Sequence, residues 1–222
     1  MFNRIHVIGS GRVGSAVAAR LRERGLALDG DAPELVLLCV PDGAIAEVAA
    51  GVEPGPWIAH VSGATPLAAL DPHKRRFAVH PLQTFTRSRG AEQLDGAWAA
   101  VTAETEAARE AGFALAELLG LRPFDLADEA RPLYHAGAAI ASNYLVTLER
   151  AAGALLEEAG APREALVPLM RRTIENGFEL TGPLSRGDWV TVERHRTAIR
   201  AARPDLEPLY DVLCDATLEL AR

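Results

Sequence analysis

The sequence predicts an α/β protein, a parallel sheet covered by helices and followed by an all-helical second domain. Three observations predict it. Strand-like and helix-like runs alternate through the first half, a glycine-rich turn joins the first strand to the first helix, and strand signals stop after about residue 127. Strands are expected at 4–8, 35–40, 57–61, 76–79, 98–101 and 122–126, short runs rich in apolar residues. Between them, helical composition and apolar spacing mark 11–24, 43–50 and 104–119. The remainder reads as helix over 129–159, closed by Gly160 and Pro162, then 163–176 stopped by Gly177, 188–202 before Pro204, and 205–221. The expected domains are 1–126 and 127–222.

With 222 residues, 49% of them hydrophobic, the chain can bury a sizeable core. A net charge of -7 with no basic run argues against a nucleic-acid partner, while small anions at local positive sites remain compatible. No apolar stretch approaches the roughly 20 residues of a membrane span, and the start does not read as a leader. Cys39 and Cys214 sit in apolar sequence without metal or redox spacing, so no metal site is expected and the expected setting is the cytoplasm. Lys74 is the single lysine, which excludes any mechanism that needs a catalytic lysine elsewhere.

Gly9, Ser10, Gly11, Arg12, Val13 and Gly14 form GSGRVG, directly after a strand and opening a helix, the context in which GxGxxG binds a dinucleotide. Gly9 permits the tight turn, Gly11 lets the backbone approach a pyrophosphate, and Gly14 allows close packing of helix on strand. Free amides at the helix N-terminus, with the helix dipole, would hold the anion. Arg12 is read either as a phosphate contact or as an exposed helix residue. Such sites also need an acidic residue roughly 20 positions on for the adenosine ribose. Here GLALDGDAPE offers Asp29 or Asp31, either as ribose contacts or as turn residues facing water. A parallel crossover takes at least about a dozen residues, more than separate Leu28 from Leu35. The second strand is therefore expected to be rudimentary and its helix missing, with LVLLCVP paired beside the first strand.

The set GSGRVG, LLCVPDGAI, HVSGA, VHPLQTF, HAGAAIASNYLVTL and TGPLSRGD runs in order from Ile5 to Asp188. It resembles the Rossmann-like proteins with a DUF2520 C-terminal domain, relatives of the 6-phosphogluconate dehydrogenase-like enzymes. The resemblance implies an NAD(P)-binding N-terminal domain and a helical C-terminal domain that forms a homodimer. It also implies oxidoreductase chemistry on a small molecule, the reduction of a keto acid or imine with NADP or NAD as cofactor and NADP the first choice. Ketopantoate reductase is similar in overall plan, which makes a ketopantoate-type carboxylate the leading substrate.

Val40, Pro41 and Asp42 follow a strand that should end at the ligand face and would border the cofactor; Asp42 is alternatively the cap of the helix beginning at Gly43. Ser62, Gly63, His80, Pro81 and Gln83 also follow strands, and His80 either meets a ligand or fixes its own loop. His135, Ala139 and Asn143 are spaced by four, on one face of a helix rich in small residues. In the β-hydroxyacid dehydrogenases of the wider superfamily a lysine stands four residues before such an asparagine and donates the proton, but here Ala139 takes its place. His135 is the candidate acid instead, because imidazole titrates near neutral pH, and Asn143 would orient the substrate. The alternative for both is plain helix packing. Arg186 projects from a loop before a helix capped by Asp188 and either pairs with a substrate carboxylate or lies on the surface. His195, four residues after Thr191, is read as a surface residue. A rival reading takes the short adenosine region and the missing lysine as signs of a degenerate member that binds a mononucleotide or small anion as a sensor.

Overall fold

The computed structural model describes residues 2–28 and 32–221; the candidate ribose contacts Asp29 and Asp31 lie outside the described residues. Within these, six strands form one sheet in chain order: β1 (Ile5–Ile8), β2 (Leu35–Leu38), β3 (Trp57–His60), β4 (Arg76–Pro81), β5 (Trp98–Ala103) and β6 (Arg122–Asp125). The first four are mutually parallel, β5 runs antiparallel to β4, and β6 is parallel to β5. The exception has a simple cause. Between β4 and β5 the chain holds only a 3-10 turn, Ala91–Leu94, so it comes straight back, whereas β6 is reached through a full crossover helix.

Helices cover both faces: α1 (Arg12–Glu23), α2 (Ile45–Ala50) and α3 (Glu106–Leu118). In β2, Leu35 and Leu37 join a core with Val17 and Leu21 of α1, Phe77, Val101 and Leu115. Val36 and Leu38 face the other way, into a cluster with Ile45 and Ala49 of α2, Ile58 and Leu67. A strand buried on both faces is apolar without alternation, as LVLL is, and each such side chain contributes about 2 kcal/mol.

After α1 the chain makes one parallel bridge, Arg4 to Ala27, with Ile5 N–H donating to the Ala27 carbonyl at 3.1 Å. By Glu34 it has returned to the Arg4 carbonyl, and β2 pairs directly beside β1. The bridge is the rudiment expected of the second strand.

The chain divides into two compact units, Met1–Ala141 and Ser142–Arg222. The first ends in α4 (Arg131–Ala139), after the last strand. The second contains α5 (Leu145–Glu158), α6 (Leu166–Glu175), α7 (Trp189–Ala202) and α8 (Glu207–Leu220), with Gly153, Leu166, Val192, Ile199 and Cys214 buried. Arg163 is paired with Glu149, and Arg196 with Asp211. The expected single helix over 129–159 is interrupted by a π turn, Ile140–Tyr144. Such a turn slips the helical register without changing the residue types used, so composition does not disclose it.

Candidate active site

The glycine turn is fixed by close backbone contact. Gly9 has φ +111°, and a Cβ there would stand 2.3 Å from the Cys39 carbonyl oxygen at the end of β2; one on Gly14 would stand 2.0 Å from the Gly9 oxygen. Gly11 is different: nothing lies within 4 Å of where its Cβ would be, so the space above it is open to a ligand. Gly11 caps α1 without a side-chain hydrogen bond, and the first turn carries no acidic residue. Its first amides thus lack acceptors from the helix itself and present positive dipole ends, as an anion requires. β1 has Ala27 on one side and β2 on the other, so the turn sits where the chain reverses direction across the sheet, the place where open α/β sheets bind ligands.

A cleft of about 450 Å³ opens from this turn and is lined by Gly11, Arg12, Val13, Val40, Pro41, Asp42, Ser62, Gly63, His80 and His135, together with Cys39, Val61 and Arg87. Gly9, Ser10 and Gly14 border a second hollow of about 380 Å³ on the other flank of the turn, with Ser15, Arg22 and Leu28. A larger hollow of about 900 Å³ lies toward the strand N-termini, among Arg4, Glu34, Trp57 and Arg75. It lacks the glycine turn and touches the carboxyl end of no strand but β1, at Ile8, so the smaller cleft is the candidate.

Asp42 does not cap a helix. It opens the 3-10 turn Asp42–Ala44, and neither that turn nor α2 has a side-chain cap, which leaves its carboxylate at the cleft wall. Ser62 is committed to its own turn: its amide donates to His60 Nδ1 (3.2 Å), and its hydroxyl donates to Thr65 Oγ1 (2.9 Å) while accepting from the amides of Ala64 and Thr65. What this turn offers the cleft is the bare Gly63. A Cβ at Gly63 would fall 2.6 Å from His135 Cδ2 and 2.9 Å from His80 Cε1 and Nε2. The glycine therefore lets two imidazoles, 6.2 Å apart by ring centroid, close over the end of β3.

His80 is tied to α4 and not to its own loop. Its Nδ1 shares a 2.8 Å hydrogen bond with the Tyr134 hydroxyl, and its other edge faces Gly63. Burial, then the Arg131 guanidinium and His135, pull its pKa down to about 4, with Asp42 opposing. His60 is fully buried and drawn to about 3 by the same two leading causes, burial and Arg131. Both imidazoles are thus neutral at pH 7, while burial pushes Tyr134 up to about 12 and keeps its proton on. Burial likewise raises the Cys39 thiol to about 12, leaving it unreactive.

Four contributors carried no sequence signal of their own. Arg131 and Tyr134 sit beside His135 in an unremarkable helix start, and His60 looked like a strand residue. Arg87 extends from the loop after β4 with no carboxylate partner among the described residues; Arg12 is equally unpaired. The Arg87 loop is organised by buried Gln93, whose Oε1 accepts the Thr86 amide (2.8 Å) and whose Nε2 donates to the carbonyls of Arg89 and Gly90. Gln83 also serves this loop, donating to the Gln93 carbonyl, and Pro81 is buried in β4.

Asn143 and Arg186 belong to the second unit. The face shared by 135, 139 and 143 presumed an unbroken α-helix, and Asn143 lies within the π turn, where that spacing no longer holds. Arg186 ends an exposed 3-10 turn before α7, whose N-cap is Asp188 as expected, its carboxylate accepting the Thr191 amide at 3.1 Å. His195 is exposed and shares a hydrogen bond with the Tyr210 hydroxyl. Among the described residues no group of three or more His, Cys, Asp or Glu is placed to hold a metal, and no helix is long and apolar enough to cross a membrane.

A mostly parallel sheet with a glycine turn at its reversal point defines a Rossmann-like α/β unit, here in a chain with a second, helical unit. More narrowly, the chain belongs to the family described as Domain of unknown function (DUF2520), which matches residues 97–217. Protein BF3122 of Bacteroides fragilis, named as a candidate NADP oxidoreductase, has the same fold at 21% identity over 98% of each chain, with a TM-score of 0.82. Protein TM1727 of Thermotoga maritima matches at 23% identity over 98% of this chain and 97% of its own, TM-score 0.78. A reductive aminase of Aspergillus terreus, in complex with NADPH and ethyl levulinate, matches at 19% identity over 99% and 95%, TM-score 0.66. No curated protein matches by sequence.

Proposed function

We propose that this protein is an NAD(P)H-dependent oxidoreductase that reduces a small carboxylated carbonyl or imine, with NADPH preferred and a ketopantoate-type acid the first substrate to test. One observation carries the reading: the open glycine turn and the His80–His135 pair line a single cleft. The solved relatives named for NADP or bound to NADPH support it through their shared fold.

The residues present suit a dinucleotide, since the free face of Gly11 and the α1 amides would take the pyrophosphate, with Arg12 beside it. Bound there, the nicotinamide would supply a hydride to the substrate carbon. His135, on the cleft wall, would give a proton to the oxygen or nitrogen that the hydride leaves negative or electron-rich. Neutral His80, tethered by Tyr134, would hold the reacting group by a hydrogen bond, and unpaired Arg87 would pair with the substrate's carboxylate. The helical unit exposes Leu169, Phe178 and Leu220 at 62%, 71% and 80%, which supports association as a homodimer.

The test is titration with NADPH, NADH and AMP by fluorescence or calorimetry, followed by a screen of 2-keto acids and cyclic imines at the nicotinamide absorbance. Micromolar NADPH binding with turnover of one class is expected. No dinucleotide binding up to millimolar would sink the proposal; AMP binding alone would favour the sensor reading that the abbreviated second strand suggests.

A further inference from the structure

We infer that Arg131 is a positioning residue of this site: its buried guanidinium fastens the turn at Ser62 and Gly63 to the first turn of α4, and so sets Gly63 against the imidazoles of His80 and His135. The starting observation is that Arg131 is the buried anchor of α4. Arg131 is its single buried residue, while Leu133 is 81% exposed and half-buried Tyr134 packs edge-on against Phe124 and His80. Besides the Tyr134 hydroxyl on His80, its polar ties sit at the N-terminal end. Arg131 Nη1 donates to Thr102 Oγ1 on β5 at 2.8 Å, and Nη2 donates to the Ser62 carbonyl. Just before it, the Asp128 carboxylate accepts the Leu67 amide at 3.1 Å.

This arrangement is costly by itself. The side chain is fully buried, its nearest carboxylate is Asp128 at 3.8 Å from Nε, and Nε has no hydrogen-bond partner among the described residues. A buried cation with a weak counter-ion and an unmet donor opposes stability, so what the residue gives in return is geometry. A planar fork can span the Thr102 hydroxyl and the Ser62 carbonyl together; a lysine, as a point charge, cannot span both in the same way. Because the Ser62 amide and hydroxyl are already engaged, pulling on its carbonyl moves the whole turn, and with it Gly63, whose side-chain position the two imidazoles occupy.

The same guanidinium is the second cause, after burial, of the lowered pKa of His80 and of His60. The other groups around His80 are Asp42 after β2, His60 on β3, and Tyr134 and His135 on α4, with Arg12 and Arg87 lining the same cleft. Only Asp42 among these favours the protonated ring. Losing the Arg131 charge should therefore raise the His80 midpoint.

The catalytic meaning rests on the proposed function, but the test does not. Proton NMR of the full chain, with each ring assigned by His→Gln variants, reads the His80 midpoint and the nuclear Overhauser contacts from Gly63 Hα to the His80 and His135 rings. Arg131→Met is expected to raise the midpoint and to weaken both contacts at least twofold. Arg131→Lys, which keeps charge but not the fork, is expected to leave the midpoint low while weakening the contacts. Wild-type contacts in a folded Arg131→Met protein overturn the inference. So does an Arg131→Met protein that fails to fold beside an Arg131→Lys protein with wild-type contacts, because the residue is then only a structural charge. NADPH binding measured on the same samples stands apart, so the loss of either reading is recognisable without the other.

Discussion

At the glycine turn the cleft wall is backbone against backbone: Gly14 on Gly9, and Gly9 on the carbonyl of Cys39. At the opposite end the wall is side chain against side chain, with His80 and His135 gathered over Gly63, Tyr134 bonded to His80, and the turn itself held by a buried guanidinium through the Ser62 carbonyl. Both ends are crowded, yet backbone cannot step aside and an imidazole can rotate. The first end should therefore respond to substitution by losing its structure, and the second by losing its alignment and by answering to pH.

The largest effect is expected where the contact is rigid. Gly14→Ala sets a methyl 2.0 Å from the Gly9 oxygen, which only a shift of α1 or β1 relieves. A loss of more than about 3 kcal/mol is expected in denaturant unfolding, at or beyond the upper end for overpacked cores. A stable Gly14→Ala protein would show that the turn is looser than its contacts suggest.

Next in size is the pH response of the histidine end. His80 and His60 have folded-state pKa values of about 4 and about 3, below the ordinary value of 6.5, so the unfolded chain binds their protons first. Stability is then complete above pH 6.5 and falls as pH drops through the window down to the folded values, where the loss levels off. For His80 alone the difference amounts to at most roughly 3 kcal/mol. Denaturant midpoints at pH 7 and pH 4.5 check this, and His80→Gln should flatten part of the slope. An unchanged slope in that variant would remove His80 from the account.

How much of this was legible in the sequence follows the same division. GSGRVG names its structure because glycine is demanded by backbone geometry, and the short count of residues before LVLLCVP foretold the single bridge at Ala27. The convergence of Val40, Asp42, Gly63, His80 and His135 was legible too, since the first three follow parallel strands and His80 lies near the carboxyl end of β4. What stayed hidden was every residue that acts through a long-range polar tie. Arg131 reaches Thr102 and Ser62 across 29 and 69 positions, and Gln93 gathers a loop by its amide; neither leaves a periodicity to read. The π turn at Asn143 escaped for the related reason that it shifts register and not composition.

Gly63→Ala tests the soft wall directly. Its methyl would meet His135 and His80 ring atoms at 2.6 and 2.9 Å, contacts that ring rotation can relieve, so the stability cost should be only about 1 kcal/mol. The displaced rings should nevertheless lower NADPH-linked turnover at least tenfold, by the same misalignment argument that makes small shifts costly in catalysis. A variant that loses as much stability as Gly14→Ala would mean that the two walls do not differ.

The smallest effect on the fold, and the sharpest separation of fold from site, is expected at Arg87. Its guanidinium is exposed on a loop whose shape is set by Gln93 and has no carboxylate partner among the described residues, so removing it breaks no tie. Arg87→Ala should change stability by less than about 0.5 kcal/mol, as surface substitutions usually do. It should raise KM for a carboxylated substrate roughly tenfold, the ~1.4 kcal/mol expected of a charge-assisted hydrogen bond, and leave the KM of the methyl ester unchanged. NADPH affinity is expected to hold within about twofold, because the amides of α1 and Arg12 remain in place to meet the pyrophosphate. If NADPH weakens instead, and the acid and its ester lose equally, Arg87 serves the phosphates, and recognition of both ligands' charge moves to the rigid end of the cleft.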